Sequence, residues 1–229
     1  MHEIEKSDAI IISDIHLGSD VSQARLLTDF LEKVDNENLT KCLILNGDFF
    51  DNMDFRRLKK YHWKVLSTIR SMSDHIKVVL ILGNHDGPAE ILSHLLGMDF
   101  LEEYVFESGN KKILALHGDR FDSVITDKPV LVYFADKIYK LIQKIDKSFY
   151  LAKLAKKSSK IFLRNAEIIE RRSTEYMRKI GCDMVCCGHV HYATAKPHTG
   201  YYNSGSWTEL PCNYLVAKDG KIDLFNFAP

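Results

Sequence analysis

Apolar residues in this chain fall into short runs, and the runs stop at chemically capable polar side chains. Ile10-Ile11-Ile12 gives way to Asp14 and His16, and Leu43-Ile44-Leu45 to Gly47-Asp48. Val78 to Leu82 leads into Gly83-Asn84-His85-Asp86, Ile113 to Leu116 into His117-Gly118-Asp119, and Met184 to Cys187 into Gly188-His189-Val190-His191. Runs this short and continuous, bounded by turn residues, read as buried strands. Between them the period changes. Leu26, Leu27, Phe30, Leu31 and Val34 recur at helical spacing within 21–34, a second helical stretch covers about 55–72, and Pro88 opens a short helix with Ile91, Leu92, Leu95 and Leu96. Strands and helices in alternation predict an α/β sheet with helices on its faces.

From about residue 122 to 180 the strand pattern disappears. Phe134, Ile138, Leu141, Ile142, Ile145 and Phe149 form an apolar stripe on a Lys-bearing helix, and a second helix is expected over about 158–179. Strands return at 213–218 and 222–227. Asp219-Gly220 joins them, a pair that supplies the positive φ of a tight type I′ hairpin turn. With 229 residues, 45% of them hydrophobic, the chain can bury one substantial core. The expectation is a single domain over 1–229 with a helical insertion at about 122–180.

Charge is balanced overall but not locally. Residues 122–180 hold 14 Lys/Arg against 7 Asp/Glu, a net of +7, so the remainder carries −7. An acidic body suits carboxylates gathered around divalent cations, and the basic segment suits either an anionic partner or a solvated helical face. Cys42, Cys182, Cys186, Cys187 and Cys212 form no C-x-x-C pair and read as reduced. The charged first residues leave no leader-like apolar segment, and no apolar run reaches the roughly 18 residues of a membrane span. These features predict a cytoplasmic protein.

The polar run-ends carry the chemistry. Asp14 and His16 are two apart at a strand end and share a face. Asp48 follows a Gly where a carboxylate can bridge two cations, although alone it would read as a turn or N-cap residue. In Gly83-Asn84-His85-Asp86 an amide, an imidazole and a carboxylate follow one another, an arrangement costly to place at a strand end without partners. His189 and His191 set two imidazoles on one side of the backbone, and His117 adds another. Mixed oxygen and imidazole donors without thiolate suit two divalent metal ions, manganese first, with iron or zinc as alternatives.

These elements resemble the calcineurin-like metallophosphoesterases, whose signatures Asp-x-His, Gly-Asp, Gly-Asn-His-Asp/Glu, His and Gly-His-x-His all occur here in order. The resemblance implies a four-layer αββα sandwich, two mixed sheets face to face with helices outside. It further implies one metal held by Asp14, His16, Asp48 and His191, and a second held by Asp48, Asn84, His117 and His189, with Asp48 as the bridge. Two such cations share and activate a water and clamp phosphoryl oxygens during in-line displacement. His85 would then serve the leaving oxygen, with Asp86 orienting its far nitrogen.

Within the family the chain is most similar to the UDP-diacylglucosamine hydrolases, through His117-Gly118-Asp119-Arg120-Phe121-Asp122, the insertion that follows, and Asn203-Ser204-Gly205-Ser206-Trp207-Thr208-Glu209. That branch typically has Arg at the position of His85, a departure that weakens the substrate assignment. Arg120, Asp122 and Asn203 become expected substrate contacts, with an Arg120–Asp122 loop ion pair as the alternative. The expected activity is hydrolysis of a phosphodiester or pyrophosphate bond in a phosphorylated small molecule or nucleotide-linked lipid. A nuclease of the same fold is disfavoured because the positive charge is local, and a metal-binding scaffold is disfavoured because every ligand position holds a competent residue. The basic insertion adds an expected peripheral contact with anionic membrane.

Overall fold

A computed structural model describes residues 6–122 and 160–228. The first expected insertion helix, around 134–149, lies outside these residues. Two sheets form the centre. Strands β1 (Ala9–Ile12), β2 (Cys42–Asn46), β3 (Lys77–Ile81), β4 (Phe100–Leu101), β10 (Cys212–Lys218) and β11 (Lys221–Phe227) make a six-stranded sheet in the order β11-β10-β1-β2-β3-β4. The second sheet runs β5 (Glu103–Ser108), β6 (Lys111–Leu116), β7 (Met184–Cys187), β9 (Tyr201–Asn203) and β8 (Thr194–Lys196). Both are mixed: β1, β2, β3 and β4 pair in parallel, as do β6, β7 and β9, while β10, β11, β5 and β8 pair antiparallel.

The continuous apolar runs are explained by burial on both faces. In β1, Ile10 and Ile12 point to a core shared with helices α1 (Ala24–Asn36) and α2 (Lys60–Met72), through Leu27, Phe30, Leu31, Val65 and Ile69. Ile11 between them points the other way. It joins Ile44, Val79 and Ile81 against Ile113, Ala115, Met184 and Cys186 of the second sheet. The outer face of that sheet, Leu114, Leu116, Val185 and Cys187, packs on Met177 and Tyr176 of the helix Lys160–Lys179, here α4. Helices, sheet, sheet and helix therefore stack as the expected four layers, the mixed α/β sandwich.

The elements differ from the periodicity reading in specific places. The stretch expected as one helix over 55–72 splits, because Asp54 caps a single 3₁₀ turn at Phe55–Arg57 and the chain then extends at Leu58 and Lys59 before α2 begins. Strands β4, β5, β8 and β9 were not visible in the pattern. They are short or partly exposed, and only isolated side chains such as Phe100, Phe106, Tyr201 and Tyr202 reach the cores, so they leave no apolar run. Pro88 precedes the helix α3 (Ala89–Leu96), and Asp219 and Gly220 adopt φ of 49° and 77°, the positive pair that the hairpin requires.

Candidate dinuclear metal centre

The parallel strands of both sheets end on the same side of the molecule, so every motif named above is delivered to one place. Loops after β1, β2 and β3 supply Asp14, His16, Asp48 and His85, and loops after β6 and β7 supply His117, His189 and His191. Hydrogen bonds stitch the two sheets together here. His117 Nδ1 lies 2.9 Å from the carbonyl of Asn46, Asn46 Nδ2 donates to the carbonyl of Cys186 at 3.1 Å, and the His189 amide donates to the Asp14 carboxylate at 3.0 Å.

Three groups of ligand atoms result among the described residues: two share Asp48, and a third, His16, Asp51 and His85, lies beside them. Asp14, His16, Asp48 and His191 offer atoms all within 4.8 Å of one another, and Asp48, His117 and His189 form a second such group sharing Asp48. His16 Nε2 is 3.2 Å from His191 Nε2 and 3.5 Å from Asp48 Oδ2, and His191 Nε2 is 3.0 Å from Asp14 Oδ1. His117 Nε2 is fully buried, 3.3 Å from Asp48 Oδ2, and makes no hydrogen bond. With Nδ1 donating to Asn46, Nε2 is the nitrogen turned to the centre, the arrangement of a metal-ligating imidazole once that nitrogen has given up its proton. The residues fit two divalent cations.

The backbone is strained to achieve this. Asp14, His16, Asp48, His189 and His191 all have φ between 49° and 69°, a region that costs a side-chain-bearing residue roughly 1–3 kcal/mol. Two glycines make room. A Cβ on Gly83 would stand 2.3 Å from both the amide nitrogen and Oδ1 of Asp48, and one on Gly188 would stand 2.6 Å from Asp14 Oδ2.

Electrostatics follow from crowding. Burial would raise the Asp14 carboxyl, but the neighbouring His191 and His117 outweigh it and hold it at about 2. Asp48 is held well below the usual carboxylate range in the same way, burial opposed by His117 and His16. Burial pushes His16 down to about 4 against the pull of Asp48. For His117 burial also acts downward, yet Asp48 and Asp14 overcome it and lift the imidazole to about 10. Two buried carboxylates in contact with ring nitrogens make a site that demands positive charge.

Other expected residues separate into those at the site and those beside it. Asn84 sits in the turn after β3 and is exposed; its neighbour His85 donates its amide to Asp48 Oδ1 at 2.9 Å, which docks the turn on the centre. His85 Nδ1 is 3.1 Å from the backbone carbonyl of Asp51, not from Asp86. The expected role of Asp86 is therefore corrected. Its carboxylate accepts the amides of Phe49, Phe50 and Gly83 at 3.2, 2.8 and 2.9 Å, and so ties the β2 and β3 loops together. Burial and the Asp48 charge raise it to about 6.

Arg120 pairs with Glu103 and stacks 4.6 Å over Tyr176, whereas Asp122 turns to His189 and Asn165. It also lines a cavity of about 230 Å³ with His117, Asp86, Glu102 and Asp119 beside the centre. Asp122 accepts His189 Nε2 at 2.8 Å, which leaves Nδ1 as the nitrogen available to a cation. Asn203 is fully buried. Its amide nitrogen donates to the Gly188 carbonyl at 2.6 Å and its oxygen accepts the Gly205 amide, so it shapes the loop before His189 and is not placed to meet a substrate.

Sequence reasoning missed Asp51. Its carboxylate lies 3.7 Å from His16 Nδ1 and 2.6 Å from Arg57 Nη1, behind the imidazole it faces, while its carbonyl meets His85. The signal was a second Asp three residues after Asp48.

A family model described as calcineurin-like phosphoesterase matches residues 9–193, a span that takes in all seven expected metal ligands. The chain belongs to the calcineurin-like phosphoesterase family. No curated protein sequence matches it. Among solved structures it is similar to Yfce, a phosphoesterase from E. coli, at 16% identity and a TM-score of 0.51, over 95% of this chain and 97% of that one. Vacuolar Protein Sorting 29 from Cryptosporidium parvum aligns at 15% identity and a TM-score of 0.48, over 98% and 100% of the two chains. Identities this low speak for the sandwich alone, and none of these comparisons points to the UDP-diacylglucosamine hydrolase branch. The family resemblance read from the motifs holds at the level of calcineurin-like phosphoesterase. No helix among the described residues is long and apolar enough to cross a membrane.

Proposed function

We propose that this calcineurin-like phosphoesterase hydrolyses a phosphodiester or pyrophosphate bond in a phosphorylated small molecule, using two divalent cations. The single observation that carries the reading is the convergence of Asp14, His16, Asp48, His117, His189 and His191 into two ligand groups sharing Asp48. Asp14, His16, Asp48 and His191 would hold one cation, and Asp48, Asn84, His117 and His189 the other. When bound, a pair of such ions supplies an activated water and charge stabilisation for the phosphoryl oxygens. The chain's own contributions are orientation and proton placement. Asn46 fixes the His117 ring, Asp51 and Asp122 back His16 and His189, and His85, its Nδ1 on the Asp51 carbonyl, presents Nε2 to a leaving oxygen. Oxygen and imidazole donors without thiolate favour manganese, with iron or zinc next, since the cysteines are buried in strands or under helix ends and take no part in the centre.

A nucleotide-linked lipid such as a UDP-diacylglucosamine-like precursor is the proposed substrate class, on the strength of the His117–Asp122 motif and the insertion. Hydrolysis of nucleic acid is disfavoured for want of a long cationic groove in the sequence pattern. The decisive experiment strips the protein with chelator, restores manganese, and compares an aryl phosphodiester with a UDP-linked lipid pyrophosphate. Turnover that needs manganese and disappears in Asp48→Ala with the circular dichroism spectrum kept supports the proposal; turnover that survives that substitution refutes it. A peripheral contact of the basic insertion with membrane predicts co-sedimentation with anionic vesicles at low salt, and absence of binding there removes that part.

A further inference from the structure

Helix α4 is the described end of the insertion, and it grips the loop that carries His117 at three points along one face. Asn165, Arg172 and Tyr176 lie at steps of seven and four, which places them on one side of the helix. Tyr176 OH donates to Glu103 at 3.0 Å, and Glu103 in turn holds Arg120. Arg172 Nη1 donates to the Phe121 carbonyl at 3.0 Å. Asn165 Nδ2 donates to Asp122 Oδ2 at 2.8 Å, the same oxygen that accepts His189 Nε2 at 2.8 Å.

This last chain of contacts runs from the insertion to a single imidazole. Asp122 is buried and the His189 side chain is only 8% exposed, so the carboxylate keeps its hold on the ring with little competing water. A carboxylate that accepts a hydrogen bond from Nε2–H fixes the ring as the Nε2–H tautomer and frees Nδ1. The orientation of that carboxylate depends on what else holds it. Asn165 was not among the residues that motif reading singled out, because one Asn in a Lys/Arg-rich helix has no pattern to mark it.

We infer that Asn165 is a positioning residue: by fixing Asp122 it sets the tautomer and aim of His189, so the helix closing the insertion tunes one of the two cation sites. The inference rests on the dinuclear reading above and goes beyond it, because it predicts that the two sites respond unequally. The site of Asp48, His117 and His189 depends on α4, whereas that of Asp14, His16, Asp48 and His191 does not.

The test uses the full chain and manganese alone, followed by calorimetric titration of the wild type, Asn165→Ala, Asp122→Ala and the double variant. Nitrogen NMR of the histidine rings, with the His189 signal assigned by its absence in His189→Gln, reports the tautomer in the metal-free protein. The expected result is weakening of one binding event by about 10–100-fold in each single variant, with the other event unchanged. The double variant is expected to lose little more than Asp122→Ala alone, because the two residues act in series. The His189 Nε2–H population is expected to fall in Asn165→Ala. Unchanged tautomer and isotherm overturn the inference, and equal weakening of both events overturns it too by showing a general loss of structure. If the wild type binds no manganese, the phosphoesterase reading fails, and the tautomer measurement alone then decides the role of Asn165.

Discussion

Manganese binding should expel a proton from His117, and the amount can be worked out from the site. His117 Nε2 faces Asp48 Oδ2 at 3.3 Å in a fully buried setting, and the two carboxylates of Asp48 and Asp14 lift its pKa to about 10. At pH 7.5 the metal-free ring is therefore protonated on both nitrogens. A ligand must be neutral, so binding has to strip a proton from a group that titrates well above the working pH, at a cost on the order of 3 kcal/mol. The apparent affinity of that site should rise about tenfold per pH unit between 7 and 9 and level off only above the pKa of the ring. Titration calorimetry in two buffers of different ionisation enthalpy counts the protons released. His117→Gln keeps an oxygen donor but has nothing to titrate. Protons from every other source are common to both proteins, so the variant should release about one proton fewer per molecule. Equal release by the two proteins, or an affinity flat between pH 7 and 9, would refute the claim that Asp48 and His117 share one buried charge. The same shift fixes the stability of the metal-free fold. A raised imidazole stabilises fully below its unfolded value of 6.5, and that contribution is lost as pH climbs through about 10.

Gly83→Ala should destabilise by about 1–3 kcal/mol, because the new methyl meets Asp48 backbone and carboxylate at 2.3 Å; a melting temperature equal to wild type would contradict the close approach. Asn203→Ala should cost about 1–3 kcal/mol in urea unfolding, since it strands the buried Gly205 amide and takes one of two donors from the Gly188 carbonyl, which keeps the Val190 amide, whereas a substrate contact would change KM and leave stability intact. His62 is buried, its Nδ1 accepting the Lys59 amide, and burial followed by the nearby Lys59 charge depresses it from 6.5 to about 4. Its contribution, up to about 3 kcal/mol, is present above pH 6.5 and lost as pH falls towards 4. Acid titration of a His62→Gln variant should show a shallower decline over that window, and an identical slope would exclude His62 as its source.

Much of this protein is legible in one dimension for a reason rooted in burial. Strands such as Ile10–Ile12 and Leu43–Leu45 are covered on both faces, so they appear as unbroken apolar runs, and the helices show the complementary stripe. Ligands at the ends of those strands are then visible as breaks in the runs, and the seven expected metal ligands all sit in such breaks. Residues that act through a backbone atom or a single long-range hydrogen bond leave no comparable trace. Asp86 looked like a partner for His85 because it is adjacent in sequence, yet at its position the nearer demand is the amides of Phe49, Phe50 and Gly83.

The order of residues alone determined the alternation of strands and helices and the set of groups able to hold cations, because periodicity and donor chemistry are local properties; the four layers were implied by the family resemblance. Tertiary structure decided everything that depends on direction. It brought His117 and His189 of one sheet to Asp48 of the other, assigned Asp51 and not Asp86 to His85, removed Asn203 from any substrate, and linked Asn165 to His189 through Asp122. A hydrogen bond is won by whichever donor lies within about 3 Å at the right angle, and that competition is settled only after the chain has packed.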